Sequence, residues 1–424
     1  MKKDSTLPAA PVAGAVDEAL TEVQQSFERL CLAAGIEALG AMMEADVEAA
    51  CGPRHERVEK RTANRWGSTR GAIGFHGGKV GVERPRVRGV DGREMALPSW
   101  DRATSEDWLG RWAMNLMLIN VSTRRFGRAV RLPEGDVPAG HGSGVSKSAA
   151  SRRFVALSSE KLDAFMNADL SELDLLVIQI DGLHVSTDLV LLAAIGIDAN
   201  GDKHPLALVE GATENTATVQ ALLDNLVERG LDPAVARLFI VDGAKALSKA
   251  IRATFGKTVA IQRCQIHKAR NIMDRLPKEL HATTRRALRQ AWELDDADKA
   301  EKLIRNLARR LDQDRPGVAA SILEGLDEIL TVVRLKLPME LRRSLACTNI
   351  AENMMGTIRR VTRNVKRWRS GTMALRWVAA GMIEAAKGFR KLKAHRQLPL
   401  LRSALIARQE PLAKSTVAPA SRAA

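Results

Sequence analysis

The feature that most constrains the fold is a change of hydrophobic period over residues 173–270. On either side of this stretch, apolar residues recur at helical spacing. Inside it they form runs of strand length at 175–180, 189–197, 204–209 and 238–241. AspAlaAsnGlyAspLys, between the second and third runs, is a turn signal, so the first three predict a three-strand meander. A helical stretch over 216–229 leads to the fourth run. A helix near 246–255 and a short strand, ValAlaIleGln, come next.

Strands in succession, then strand, helix and strand, predict an α/β fold with a mixed sheet of ribonuclease-H type. Upstream, residues 15–50 are alanine-rich, with Leu20, Val23, Phe27, Leu30 and Leu32 spaced for one or two helices. Residues 54–88 turn rich in Gly and Arg, and LysValGlyValGluArgProArgVal alternates as a short basic hairpin would; a solvated linker accounts for the same composition. Residues 99–167 are helical again, with Trp108 and Trp112 one turn apart as core residues. Here ThrArgArgPheGlyArgAlaVal (123–130), a Pro/Gly loop and GlyValSerLysSerAlaAlaSerArgArgPhe (144–154) are compatible with a helix-turn-helix presenting Arg152 and Arg153 to DNA. The loop is longer than that motif's tight turn, and any two basic amphipathic helices joined by a loop give the same pattern.

Helical periodicity returns after Arg270, through Leu303, Ile304, Leu307 and Leu311, then Ile322, Leu326, Ile329 and Val333. The expected organisation is a helical segment (1–53), a basic hairpin region (54–98) and a helical DNA-binding domain (99–167). The first part of a catalytic core (168–270), an all-α insertion (271–343), the final helices of the core (344–408) and a disordered tail (409–424) complete it.

Charge narrows the partners. With 65 Lys and Arg against 50 Asp and Glu, the formal charge is +15, which favours a polyanion through counterion release. DNA, RNA and an anionic membrane all satisfy that. The longest uninterrupted apolar stretch, 189–197, falls far short of the roughly 20 residues needed to span a bilayer, so no membrane role is expected. MetLysLysAsp followed by Pro8, Pro11 and Asp17 does not read as a secretory signal, and Cys31, Cys51, Cys264 and Cys347 are too scattered for a disulfide framework. A cytoplasmic protein, nucleoid-associated when bound to DNA, is expected. The chain contains no tyrosine, which excludes enzymes that attack DNA with a phenolic oxygen.

Three acids then stand out. Asp181 closes LeuLeuValIleGlnIle, Asp242 closes LeuPheIleVal, and each is followed by glycine. Two carboxylates where buried strands emerge would repel unless a cation joined them, and hard oxygen ligands favour Mg²⁺. AspGly is also a common turn dipeptide. Glu352 opens a basic helix in which Ile350, Met354, Ile358, Val361 and Val365 form an apolar stripe. Arg359, Arg363 and Lys366 lie within about 40° of Glu352 on the opposite face, as phosphate contacts would require. Arg360 and Arg367 add to this predicted DNA-binding surface. Asn349-x-x-Glu352 also fits a capping box, in which the glutamate would only satisfy a backbone N–H. Cys264-x-x-His267 lacks the second ligand pair of a structural zinc site, and a positioning or core role is expected for both.

Taken together, these pieces resemble the mutator-type insertion-sequence DDE transposases. The likeness rests on AspGlyLeuHis at 181, GluGlyAlaThrGluAsn at 210, ValAspGlyAlaLysAlaLeu at 241, GlnArgCysGlnIleHisLysAlaArgAsn from 262 and ThrAsnIleAlaGluAsnMetMetGlyThrIleArgArgValThrArg from 348. Their order and spacing agree with that family over about residues 100–385. A tryptophan often found after the GluAsn segment is replaced by ThrValGlnAlaLeu at 218–222. The resemblance implies a ribonuclease-H-like catalytic domain interrupted by an all-α insertion, with Asp181, Asp242 and Glu352 binding two Mg²⁺ ions, for which Mn²⁺ would substitute. It implies that Cys264 and His267 support the active site, to which Asn349 is added here. The implied partners are double-stranded DNA, at element ends and at the target, and a second copy of the chain; no small-molecule cofactor is expected. The alternatives are a structure-specific nuclease of the same fold that does not join strands, and a catalytically inactive DNA-binding regulator.

Overall fold

The structure is a computed structural model that describes residues 12–413, apart from 57–60, 76–77, 106–107, 120–146, 187–188 and 212–214. Two compact units divide the chain, Met1–Leu157 and Ser158–Ala424.

In the first unit, the alanine-rich N-terminal region forms one helix, α1 (Val12–Cys51). Leu39, Met43, Val47 and Cys51 recur every fourth residue and therefore share a face. That face is buried with Val82, Val87, Leu97 and Trp100. The basic segment is an antiparallel hairpin of β1 (Ala63–Phe75) and β2 (Gly78–Gly89), with a short β3 (Glu94–Met95) beside β2. It is longer than the short hairpin expected, and it shares a core with α1 and with Trp100 of α2 (Pro98–Ser105), which a solvated linker would not. Gly71 is required there, because a Cβ would fall 2.3 Å from the Trp100 ring. The polar face carries Arg88 over the exposed Trp66 ring at 4.3 Å, while Arg84 and Arg86 pair with Glu94.

Helix α3 (Trp108–Leu118) places Trp112 against Ala113 and Ala150, as a core tryptophan. Residues 123–130, the expected first helix of the helix-turn-helix, lie outside the described residues. The expected second helix is present as α4 (Lys147–Met166), with Arg152 exposed and Arg153 partly buried.

The second unit is built on a five-stranded mixed sheet in the order β6-β5-β4-β7-β8. Strands β4 (Leu175–Ser186), β5 (Leu189–Asp198) and β6 (Lys203–Glu210) form the expected antiparallel meander. After α5 (Thr216–Glu228), strand β7 (Leu238–Val241) pairs parallel with β4; after α6 (Lys245–Phe255), strand β8 (Ala260–Arg263) pairs parallel with β7. Side chains alternate between the two faces of a strand. Ile178, Ile180, Leu192, Ala194, Phe239 and Val241 pack under α5 and α6. Val177, Leu191, Ala193, Ile195, Leu238 and Ile240 pack on the opposite side.

That opposite side is covered by α14 (Asn349–Thr362), α15 (Gly371–Ala386) and α16 (Leu398–Ala413). Helix α16 continues past Gln409, where the disordered tail was expected to begin, and residues 414–424 lie outside the described residues.

Between β8 and α14 the described elements are all helical: α7 (Gln265–Met273), α8 (Lys278–Glu293), α9 (Ala297–Asp314), the short α10 (Val318–Leu323), α11 (Leu326–Ile329) and α12 (Thr331–Arg334), and α13 (Met339–Leu345). This insertion has its own core around Ile272, Leu288, Ile304, Leu311, Ile322 and Leu330.

Gln262, fully buried on β8, ties the insertion to the sheet. Its amide donates to the Ile329 carbonyl at 2.9 Å, and its Oε1 accepts from Val332 N at 3.0 Å. Gln262→Leu leaves the Val332 N–H buried without a partner and the Ile329 carbonyl with only the 3.4 Å bond from the Gln265 amide. We expect it to reduce unfolding stability by about 2–4 kcal/mol. Urea titration followed by circular dichroism checks this, and a loss below about 1 kcal/mol would show that the insertion is held without Gln262.

Candidate functional site

Register places the first two acids side by side. The parallel β4/β7 ladder ends at Ile180 and Val241, so Asp181 and Asp242 each follow the last pair. Alternation turns both toward the face covered by α14, because each lies two residues beyond a side chain of that face, Gln179 in one case and Ile240 in the other. The two AspGly dipeptides differ in conformation. β4 runs on through Gly182 to Ser186, with Asp181 opposite Ala193, so that pair is strand and not turn. At Asp242 the strand does end. Gly243 has φ of 104°, and a Cβ there would lie 1.9 Å from Arg263 Nε. Only glycine allows both the left-handed turn and this close approach.

Asp181, Asp242, His184, Arg263, His267 and Asn271 line one cleft of about 390 Å³. Asp181 is 8% exposed, and burial raises its carboxyl from 3.8 to about 6; the cationic His267 and the Thr348 hydroxyl oppose the rise, and the neighbouring Asp242 adds to it. Asp181 Oδ1 accepts from Gly182 N, and Asp242 Oδ1 from Ala244 N, both at 2.9 Å.

Cys264 caps the start of α7, with His267 one turn on. The Cys264 sulfur is the main cause of an upward shift that leaves His267 protonated to about pH 9, with both aspartates contributing and burial opposing. His267 Nδ1 nevertheless makes no hydrogen bond of regular geometry among the described residues, so the attraction is one of charge and proximity. Burial pushes the Cys264 thiol up, and His267 and the backbone of Thr348 more than offset it, for a net lowering. The Thr348 hydroxyl also contacts the Cys264 sulfur at 3.6 Å.

The third acid stands apart. Glu352 lies in the first turn of α14, but its Oε1 accepts from Arg270 Nη1 at 3.0 Å. Among the described residues no group of three His, Cys, Asp or Glu side chains is close enough to hold a metal ion. The capping-box alternative fails as well: Thr348 is the N-cap, Asn349 is the first helical residue, and no side chain caps this end. The predicted basic stripe is shorter than expected, because α14 ends at Thr362. Arg359 and Arg360 are exposed on the helix, Arg363 caps it, and Lys366 and Arg367 lie beyond it, exposed.

Two further residues belong to this neighbourhood, and the sequence analysis did not single them out. Arg263 is buried at the end of β8 and donates to the Glu324 carbonyl and carboxylate. Arg270 holds Glu352. Its signal in the sequence is its position three residues after His267, on the same helical face.

Two carboxylates, one of them buried and reluctant to ionise, are the hard oxygen donors that suit Mg²⁺ or Mn²⁺ and suit a soft metal poorly. The donor set therefore fits the implied metal at Asp181 and Asp242.

Comparison with known proteins finds matches along most of the chain. The family model described as "Transposase, Mutator family" matches residues 14–391. The transposase for insertion sequence element IS6120 of Mycolicibacterium smegmatis is 30% identical over 272 residues, covering 63% of this chain and 82% of the relative. The transposase for IS1081 of Mycobacterium tuberculosis is 25% identical over 396 residues, 89% of this chain and 90% of the relative. The transposase for IS256 in transposon Tn4001 of Staphylococcus aureus is 26% identical over 343 residues, 78% and 83% respectively.

The Asp181 environment gives a prediction with a definite sign. Because its folded-state value of about 6 exceeds the unfolded 3.8, protonation stabilises the fold. That stabilisation is complete below about pH 4 and is lost as pH rises through 6, where the ionised group costs roughly 3 kcal/mol. In metal-free protein we expect Asp181→Asn to raise stability by about 2–3 kcal/mol at pH 7.5 and by little at pH 4. Mg²⁺ should raise the thermal midpoint of wild type at pH 7.5, progressively less below pH 6, and should leave the variant unmoved. Thermal melts across pH, with and without Mg²⁺, check both; a variant no more stable than wild type at pH 7.5 refutes the burial argument.

Proposed function

The chain belongs to the Mutator family of transposases, and on that premise we propose that it binds the ends of its insertion sequence and catalyses Mg²⁺-dependent DNA cleavage and strand transfer. Asp181 and Asp242 hold the metal ions, and Glu352 completes the triad. The observation that carries this reading is the β4/β7 register, which brings two carboxylates together on the face that α14 covers with Glu352.

The sheet supports a ribonuclease-H-like assignment: three antiparallel strands, then two parallel ones added beside the first, in the order 3-2-1-4-5, with an all-α insertion before the last helices. When bound, the metal ions supply Lewis acidity that stabilises charge on the attacking and leaving oxygens of a phosphodiester. The protein's own groups do the rest. Burial around Asp181 keeps the carboxylate poorly solvated and so favours its pairing with a cation. His267, protonated to about pH 9, balances the aspartates and lies where a phosphate would be attracted. No covalent protein intermediate is needed, which suits a chain without tyrosine.

DNA is held by charge. Arg359, Arg360, Arg363, Lys366 and Arg367 present exposed cations along and beyond α14, and Arg152 and Arg153 serve end recognition in the first unit. Cys264, His267 and Asn349 support the site. Two ends must be joined together, so the active species is a homodimer. Among the described residues no helix is long and apolar enough to cross a membrane.

The test uses purified protein and DNA carrying the element's ends, with Mg²⁺, Mn²⁺ or EDTA. Asp181→Asn, Asp242→Asn and Glu352→Gln should each lose cleavage and joining by on the order of 10³-fold while retaining end binding. Cleavage without joining favours the structure-specific nuclease. Binding without chemistry under either metal favours the inactive regulator and refutes the transposase reading for this copy.

A further inference from the structure

Beside Glu352 lies a second cavity, of about 440 Å³, that contains neither aspartate and meets the proposed site only at Arg270 and Asn349. It is walled by α7, α8 and α13, and its rim carries Arg270, Arg285, Arg289 and Arg343. Trp292 forms part of the wall, and the buried Leu288 and Val332 also line it. Glu293 is the rim's carboxylate and is already paired with Arg343 at 2.8 Å. Arg285 and Arg289 are exposed and have no ion pair among the described residues.

Trp292 Nε1 and Arg342 Nε are buried N–H groups that find no acceptor among the described residues. Arg342 is 3% exposed and is fixed by the Leu294 carbonyl and the Asp295 carboxylate. The features that point to a ligand are the Trp292 wall and, at its edge, Arg285 and Arg289, unpaired among the described residues. An apolar, partly aromatic wall takes a flat ring, and the exposed guanidinium groups at the mouth take phosphates. The volume falls in the small-molecule range of roughly 300–1,000 Å³, and a concavity of that size cannot admit a double helix. Arg270 is shared with the Glu352 ion pair, so the occupant sits next to the proposed cleavage site.

Resting on the DNA-processing function proposed above, we propose that this cavity receives a single nucleotide extruded from the element-end DNA beside the scissile phosphate, its base against Trp292 and its phosphates on Arg285 and Arg289. Taking one base out of the stack costs a few kcal/mol, and stacking on an aromatic side chain with phosphate contacts offsets that cost.

The experiment uses the full chain and end duplexes in which 5-iodouracil replaces one base at a time near the cleavage position. Irradiation should crosslink one position to the α8 peptide containing Trp292. The crosslink should vanish in Trp292→Ala, and end affinity should fall roughly five- to a hundredfold. Arg289→Gln, on the exposed rim where folding is not at stake, should weaken the same crosslink and leave circular dichroism melting unchanged. End binding by wild type with no crosslink to α8 at any position overturns the cavity assignment alone. Failure of wild type to bind the end duplex overturns the end-binding function and the cavity assignment together.

Discussion

The parallel pairing of β4 with β7 is the constraint on which the rest of the candidate site depends. It stops at Ile180 and Val241, and the residue that follows each is an aspartate. A slip of one residue would turn one carboxylate to the α5/α6 face, into the packed layer of Ile178, Phe239 and Val241. Hydrophobic burial on both faces therefore fixes the carboxylate pair: the register that hides the isoleucines and valines is the one that forces the aspartates together. Their repulsion and desolvation are carried by the surrounding core, as His267 and the raised Asp181 indicate.

Much of this was legible in the sequence. Strand-length apolar runs identified four strands, and a short β-rich tetrapeptide identified the fifth, because burial on both faces leaves no polar alternation to confuse the period. Asp181 and Asp242 were visible because they interrupt such runs. The extent of β4 was not: Asp181-Gly182 reads as a turn locally, and only pairing with β5 carries the strand through it. Long-range ion pairs were equally hidden. Arg270 meets Glu352 across 82 residues of chain, and no local pattern encodes that contact. The basic stripe below Glu352 was overextended, since the wheel continues past Thr362 while the helix stops there. In the first unit the alternation showed a short hairpin, but the Gly/Arg composition concealed its length and its core, since its inward residues, Val82 and Val87, meet a face of α1 that lies before it in sequence.

The Arg270–Glu352 pair is largely exposed, with side chains 57% and 36% accessible, and pairs of that kind contribute little, about 0–1 kcal/mol. Glu352 is thus held away from the aspartates by an interaction weak enough for a polyanion to compete with. Phosphates drawn to the cationic rim around Arg270 would take over its hydrogen bonds and leave the glutamate free to turn. A glutamate held so loosely in isolation suits the proposed function, in which the substrate brings many negative charges of its own.

The insertion gives that arrangement its rigidity. Asp242 and Glu352 are 110 residues apart in sequence, a separation that would leave the third acid poorly positioned if the intervening chain were a loose loop. The helices α8 to α12 instead close on their own core. They are fastened to the end of β8 and the start of α7 by Gln262, Arg263 and Lys268, which reach Ile329, Val332 and Glu324. Lys268 is 2% exposed, and burial lowers its ammonium to about 8, so its bond to the Glu324 carbonyl at 2.6 Å is made in a poorly solvated place. Removing Gln262 leaves the Val332 N–H buried without a partner, in the stretch of chain that leads through α13 to α14 and Glu352. In the proposed function the insertion's polar anchors therefore matter as the strand register does, because they fix the chain that leads to Glu352.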